Sequence, residues 1–291
     1  MGADPGRVRA VNPEPYPPPV TAARLSRTAL DHVDVCHPQY PRIHNYLLGG
    51  KDNYEVDRAF VTSLALAFPA IKTAAWASRR FLLDIVDNLA RQGLNQFWEL
   101  GAGMPFPWSV DQAAQQVNPN ARVLYVDRDA VTAAHYRATA ETDHVRFLHA
   151  DVRETEQLIA AAHEMDLDIV GTVLRFTEPI VVSCCGLLEL IADPAPILRT
   201  LAASLPPGSF VVTTHLVTDA AGEQSRALVD AHACGRLEFH PRSADEVRAL
   251  FDGCGHITYD EMLTSPITGT FEPHSLALVV ECGGLTAGRT P

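Results

Sequence analysis

From residue 95 onward, short apolar runs alternate with segments of helical character, and this alternation restricts the fold more than any other feature. Phe97–Leu100, Arg122–Val126, Val145–His149, Ile180–Cys184, Ser209–His215 and Ser275–Cys282 read as buried strands. Between them, Asp111–Val117, Val131–Thr142, Gln157–His163, Pro196–Ser204 and Ala244–Phe251 read as helices. Strands that are apolar on both faces need cover on both faces, and a helix between successive strands makes them parallel. The expected fold class is α/β: a mostly parallel twisted sheet, Rossmann-like, with helices on both faces. Residues 55–92 read as helices, since Phe81, Leu82, Ile85 and Leu89 share one stripe and Gly93 is a fitting stop. A helical arm over 21–93, starting near Thr21, is expected to precede an α/β core over 94–291. Residues 1–20 hold six prolines and are expected to be flexible or polyproline-like.

Charge and cysteine usage remove several function classes. The net charge of −12 lacks the basic footprint of a nucleic-acid binder and disfavours anionic lipid surfaces. A small-molecule substrate fits that sign better, and a homodimer is admitted. No run of about eighteen apolar residues is present, so no membrane span is expected. Cys36, Cys184, Cys185, Cys234, Cys254 and Cys282 form no C-x-x-C pair, so neither a zinc site nor a redox motif is expected. With no secretory signal, reduced thiols and a cytoplasmic setting are expected.

In open α/β sheets, ligands sit beyond the carboxyl ends of the strands. The first strand ends in Glu99-Leu100-Gly101-Ala102-Gly103, whose glycines permit a tight turn and close ligand approach. Strand two ends in Asp127, followed by Arg128 and Asp129, and strand three in Ala150-Asp151. A carboxylate at the second position accepts ribose hydroxyls, and one at the third meets an adenine amino group. A dinucleotide site needs G-x-G-x-x-G, but Phe106 stands at the third glycine position. Pro105 and Pro107 also remove two N–H donors that a pyrophosphate would use. A phosphate-free nucleoside such as S-adenosylmethionine (SAM) fits this turn better than NAD.

The chain resembles the actinobacterial SAM-dependent methyltransferase family once classed as a domain of unknown function, with a class I methyltransferase-like fold. The resemblance lies in Arg42-Ile43-His44-Asn45-Tyr46-Leu47-Leu48-Gly49-Gly50-Lys51-Asp52-Asn53-Tyr54, Trp98–Pro105, Leu124–Asp129, Ala150-Asp151-Val152-Arg153 and Leu205–Ser209. It implies that the first string closes over the SAM cofactor, with Arg42, Tyr46, Gly49, Gly50, Lys51, Asn53 and Tyr54 in contact with it. Arg42 or Lys51 would pair with the methionine carboxylate, and Tyr46 or Tyr54 would face the sulfonium. Glu99, Gly101, Ala102, Gly103, Asp127, Arg128, Asp151, Val152, Ser183 and Cys184 would complete the cofactor site.

Two departures from the family pattern leave the acceptor open. Strand four continues as Ser183-Cys184-Cys185-Gly186-Leu187-Leu188-Glu189, with Leu188 where family members carry a histidine. The C-terminal Pro-rich, Trp-containing finish is replaced by Asp260–Ser265 and Phe271–Ser275. Methyl transfer mainly requires alignment, and a base only where the acceptor must lose a proton. His215, with Asp219 as a partner, Tyr46 and Glu189 are the catalytic candidates, and residues 216–274 are expected to cover the acceptor. Cys184 and Cys185 read as packing residues rather than nucleophiles. The expected activity is methyl transfer from SAM to a small molecule, such as a natural product of secondary metabolism. The alternatives are a SAM-consuming cyclase releasing methylthioadenosine and forming a small cyclic amino acid (1-aminocyclopropane-1-carboxylate or azetidine-2-carboxylate), and a non-catalytic SAM-binding regulator.

Overall fold

The structure is a computed structural model that describes residues 34–167, 171–218, 222–263 and 274–282. The expected proline-rich segment, the helix start near Thr21, Asp219 and residues 264–273 lie outside the described residues. Three helices come first: α1 (Tyr40–Leu47), α2 (Glu55–Ala67) and α3 (Ile71–Arg91). The sheet region follows as β1 (Gln96–Leu100), α4 (Val110–Val117), β2 (Arg122–Asp127), α5 (Ala130–Thr139), β3 (Val145–His149), α6 (Thr155–Glu164) and β4 (Val181–Ser183). It continues through a 3-10 turn (Leu188–Leu190) to α7 (Ala195–Ser204), β5 (Ser209–Leu216), α8 (Glu223–Cys234), α9 (Ala244–Ala249), β6 (His256–Leu263) and β7 (Ser275–Cys282). A small antiparallel ribbon pairs Asp166–Leu167 with Gly171–Thr172.

The seven sheet strands lie in the order β3-β2-β1-β4-β5-β7-β6. The first five are parallel, whereas β7 runs antiparallel between β5 and β6. Strand order therefore reverses at β1/β4, which opens a crevice at the carboxyl ends of these two strands. Alternation along β1 sends Phe97 to one face and Trp98 to the other. Trp98, Leu100, Leu124 and Val126 pack with Leu158 of α6 and Leu198 and Leu201 of α7. On the opposite face, Phe97, Val123 and Tyr125 meet Phe81, Leu82 and Val86 of α3. Full burial of each such side chain contributes about 1.5–3 kcal/mol, so the sheet is held from both sides.

The strand expectations hold with ends shifted by a residue or so, but β6 and α8 have no counterpart in the sequence reading. β6 is an exposed edge strand rich in polar side chains, and its pairing with β7 is irregular between Ile257 and Tyr259. An edge needs no apolar face of its own, so periodicity conceals it. Part of the 216–274 segment expected to cover the acceptor is thus sheet. No single helix among the described residues is long and apolar enough to cross a membrane.

A third cluster joins the arm to the far half of the fold. Ile43 and Leu47 of α1 and Phe60, Val61 and Leu64 of α2 pack with Leu216, Leu228 and Phe239. Inside this contact the Arg42 guanidinium donates to Asp57 at 2.7 Å, with both side chains buried. Asp57 also accepts the backbone amides of Gln39 and Tyr54, at 3.0 and 2.8 Å, so its carboxylate locks the start of both α1 and α2. Removing one partner of a buried pair strands the other charge. Asp57→Ala is therefore expected to lose about 3–5 kcal/mol in urea unfolding, while Asp84→Ala, which removes the exposed Arg80–Asp84 pair, changes stability by less than about 1 kcal/mol. Equal losses in the two variants would contradict this account of the arm.

Candidate cofactor and acceptor site

The turn after β1 is held open from three directions. Gly101 and Gly103 have φ of +67° and +68°, values that favour glycine. A Cβ on Gly101 would come within 2.8 Å of Leu187 Cδ1, so the loop after β4 closes directly behind the turn. Asp127, at the carboxyl end of β2, accepts the Gly103 amide on one oxygen and the Asp129 amide on the other, each at 2.9 Å. Burial raises the Asp127 carboxyl above its usual range, and the two amides oppose that shift. Each carboxylate oxygen has a second lone pair available to a ligand hydroxyl.

A buried carboxylate forms the floor. Glu99, the penultimate residue of β1, accepts from Arg79 Nη1 at 2.9 Å, while its Oε2 is buried without a hydrogen-bond partner. Burial lifts its carboxyl above the usual range, and Arg79 offsets part of that rise. Arg79 also donates to the Trp108 carbonyl at 2.9 Å, tying α3 to the loop that follows the glycine turn. Across the turn stands His44 of α1, whose Nδ1 is the nearest neighbour of a Cβ built on Gly103, at 3.9 Å. Burial, with the Arg79 charge nearby, lowers the His44 pKa to about 4, so the ring is neutral at neutral pH. Neither Arg79 nor His44 was singled out as a site residue from sequence. His44 lies inside the recognised string and could have been picked by its helical phase, whereas nothing local marks Arg79.

The beginning of α4 offers no seat for a phosphate. Gln112 Oε1 accepts the Trp108 amide at 2.8 Å, and the Tyr125 hydroxyl accepts the Asp111 amide at 2.9 Å while donating to the Asp111 carboxylate. The first-turn amides that would greet an anion already have partners, and a carboxylate stands among them.

Further along the edge, Asp151 is half-buried between Arg153, which binds it through Nη2 at 2.5 Å, and Arg128 at 3.5 Å. Those cations hold its carboxyl below the usual range against the opposing effect of burial. Val152 is buried beside α6 and its carbonyl accepts the Thr155 hydroxyl at 2.8 Å. Ser183 ends β4 in register with Glu99. The crevice thus brings together Glu99, Gly101, Ala102, Gly103, Asp127, Arg128, Asp151, Val152 and Ser183.

Several expected roles do not survive the geometry. Arg42 is committed to Asp57 and to the His37 carbonyl, so its guanidinium cannot serve a cofactor carboxylate. Tyr46 is exposed and lies about 200° around α1 from His44, on the face turned away from the glycine turn. Tyr54 stacks under Arg42 at 4.6 Å, and Lys51 is exposed. Asn53 donates to Asn45 Oδ1 and the Gly50 carbonyl, so its amide shapes the turn. Gly49 has φ of +85°, and a Cβ on Gly50 would collide with Asn45 at 2.3 Å; both glycines serve that turn. His215 is fully buried: its Nδ1 faces the Leu216 carbonyl at 2.7 Å and its Nε2 the Arg242 guanidinium at 3.3 Å. With both nitrogens engaged and its pKa lowered by burial, it is not a base available to substrate. Cys184 points into the core, where burial raises its pKa to about 12; Cys185 is the partly exposed member of the pair. Among the described residues no His, Cys, Asp or Glu group is arranged to hold a metal ion.

The comparisons agree with this architecture. The family model for S-adenosyl methyltransferases matches residues 26–258. A DUF574 family protein from Streptomyces avermitilis MA-4680 is similar in structure, with a TM-score of 0.74 at 22% identity, covering 86% of this chain and 99% of that one. A candidate methyltransferase from Thermobifida fusca YX gives a TM-score of 0.74 at 27% identity, covering 86% of this chain and 96% of that one. No match is found among curated proteins. The chain belongs to the S-adenosyl methyltransferase family and is a SAM-dependent methyltransferase on an α/β fold.

Proposed function

We propose that this methyltransferase acts on a small-molecule acceptor inside a roofed crevice. The observation that carries this reading is the course of α1 across the carboxyl edge of the sheet. Tyr40 and His44, one helical turn apart, share a face. His44 stands over Gly103, while the Tyr40 hydroxyl donates to the Glu238 carbonyl. The helix therefore bridges from the β1 turn to the segment before α9. A roof anchored at both ends admits a compact acceptor far more readily than a folded macromolecule, and the net charge of −12 opposes a polyanion.

Residue roles follow from the same geometry. Asp127 would receive the ribose hydroxyls, and Asp151 with Val152 would border the adenine. Glu99 Oε2, buried and unpartnered, suits an ammonium donor at the amino-acid end. Bound SAM supplies a methyl group activated by the neighbouring sulfonium. The chain's own contribution is to orient the acceptor, exclude water beneath α1 and keep uncompensated positive charge away from that cation. Neutral His44 meets the last requirement, and Arg79 does so because Glu99 partners it. No observation favours intramolecular cyclisation or a purely regulatory role.

Three outcomes are expected. With methyl-labelled SAM and a cell extract, label should enter the low-molecular-mass fraction with release of S-adenosylhomocysteine; label in protein or nucleic acid, or release of methylthioadenosine, would overturn the reading. Asp127→Asn should weaken S-adenosylhomocysteine binding at least about tenfold in calorimetry, about 1.4 kcal/mol, and unchanged affinity would remove Asp127 from the site. The third outcome concerns pH. Because folding lowers the His44 pKa to about 4, the unfolded chain binds more protons between that value and its own pKa of about 6.5. Stability should then fall as pH drops through this window, by on the order of 1 kcal/mol per unit at most from this group. His44→Gln should flatten the acid side of the unfolding profile, and an unaltered slope would contradict the assignment.

A further inference from the structure

A second buried carboxylate lies beyond the cofactor crevice, in the 3-10 turn after β4. Glu189 is 8% exposed; its Oε1 accepts the Leu216 amide at 3.4 Å, and its Oε2 has no hydrogen-bond partner. Thr218 Oγ1 and His240 Nε2 are likewise buried without a hydrogen bond. Backbone bonds gather the three. The His240 amide donates to the Glu189 carbonyl at 2.8 Å, and the Thr218 amide to the carbonyl of Arg242 at 3.1 Å. Tyr40 closes the remaining side from α1. Burial and the charges of Glu189 and Glu238 raise its phenol well above the ordinary value, so it stays a neutral hydroxyl. The Glu238 carboxylate lies 3.6 Å from His240 Nε2, outside hydrogen-bond length.

The cations that act on this group through space, Arg242 on Glu189 and Arg128 on Tyr40, have other partners. Arg242 donates to the carbonyls of Leu188, Ile191 and Ala192 and faces His215 Nε2. Arg128 and Arg153 both engage Asp151. Arg242 offsets part of the Glu189 charge through space, but no side chain donates to Glu189 Oε2. A buried carboxylate oxygen left in that state is unfavourable until a donor arrives, and a donor carrying positive charge relieves it most. A carboxylic acid would be repelled by Glu189 and Glu238. An alcohol would supply a donor without the charge.

We propose that Glu189 Oε2, within the buried polar group it forms with Tyr40, Thr218 and His240, receives the amino group of the methyl acceptor, making this chain an amine N-methyltransferase. The proposal rests on the methyl-transfer reading above and names its substrate class. The amine binds as an ammonium ion, and in the transfer it first passes one proton to Glu189 Oε2, which frees its lone pair. Its lone pair forms the N–C bond while the C–S bond breaks, the electron pair staying on sulfur. The product is an N-methylammonium ion, and Glu189 holds the proton it took until the product leaves and water receives it, so no histidine base is needed. This agrees with a His215 that is buried and engaged.

The test uses the full chain saturated with S-adenosylhomocysteine and three matched probe sets: phenethylamine, phenethyl alcohol and phenylpropionate; tryptamine, tryptophol and indolepropionate; hexylamine, hexanol and hexanoate. Calorimetry should show at least one amine bound about tenfold or more tighter than its alcohol and acid partners. Glu189→Gln should lose that preference by a similar factor while holding S-adenosylhomocysteine within about twofold, which also shows that it folds. Thr218→Val, a milder change, should weaken amine binding about threefold. Equal binding of alcohols or acids, no amine binding by the cofactor-saturated protein, or unchanged amine preference in Glu189→Gln would each overturn the proposal. Failure of the wild-type chain to bind S-adenosylhomocysteine would instead overturn the cofactor-site reading.

Discussion

One buried guanidinium organises the working edge of this protein. Arg79 leaves α3 to meet Glu99 at the end of β1 and the Trp108 carbonyl in the loop beyond the glycine turn. Its charge is balanced by Glu99, yet it still contributes to the low pKa of His44 across the crevice. Helix, strand, loop and roof are thereby coupled through a single side chain. Burying a cation is tolerable only with a partner and further acceptors, and both conditions are met here. The arrangement also leaves Glu99 Oε2 buried without a hydrogen-bond partner.

The arm uses a similar device for a different purpose. Arg42 and Asp57 are sealed inside the contact between α1 and α2, and Asp57 gathers amides from the start of each helix. The recognised Arg42–Tyr54 string therefore divides by helical phase. Within α1, Arg42 and Asn45 shape the arm, while His44 stands across the glycine turn.

Two carboxylates with one unpartnered oxygen each, Glu99 and Glu189, occupy different parts of the carboxyl edge. Such atoms are exceptional in a folded interior, because an unmet acceptor costs free energy that packing does not return. Leu188 is buried in the core, and the neighbouring Glu189 carries the unpartnered oxygen. His215, which sequence reasoning favoured as a base, instead packs against Arg242 and supports that turn from behind.

Sequence alone determined the α/β class, the interior strands and the line of Glu99, Gly101, Gly103, Asp127 and Asp151 at successive strand ends, because apolar runs and special backbone positions are local properties. It did not disclose β6, whose exposed edge carries no hydrophobic period, nor α8. Tertiary structure decided which polar groups are available to a ligand. Arg42, Asn53 and His215 are engaged by Asp57, by Asn45 and Gly50, and by Leu216 and Arg242, whereas Glu99, Glu189 and His44 point toward the crevice or its edge. Availability depends on partners that can lie far away in the chain, 27 residues for Glu189 and Leu216 and 198 for Tyr40 and Glu238, and no local pattern encodes such distances.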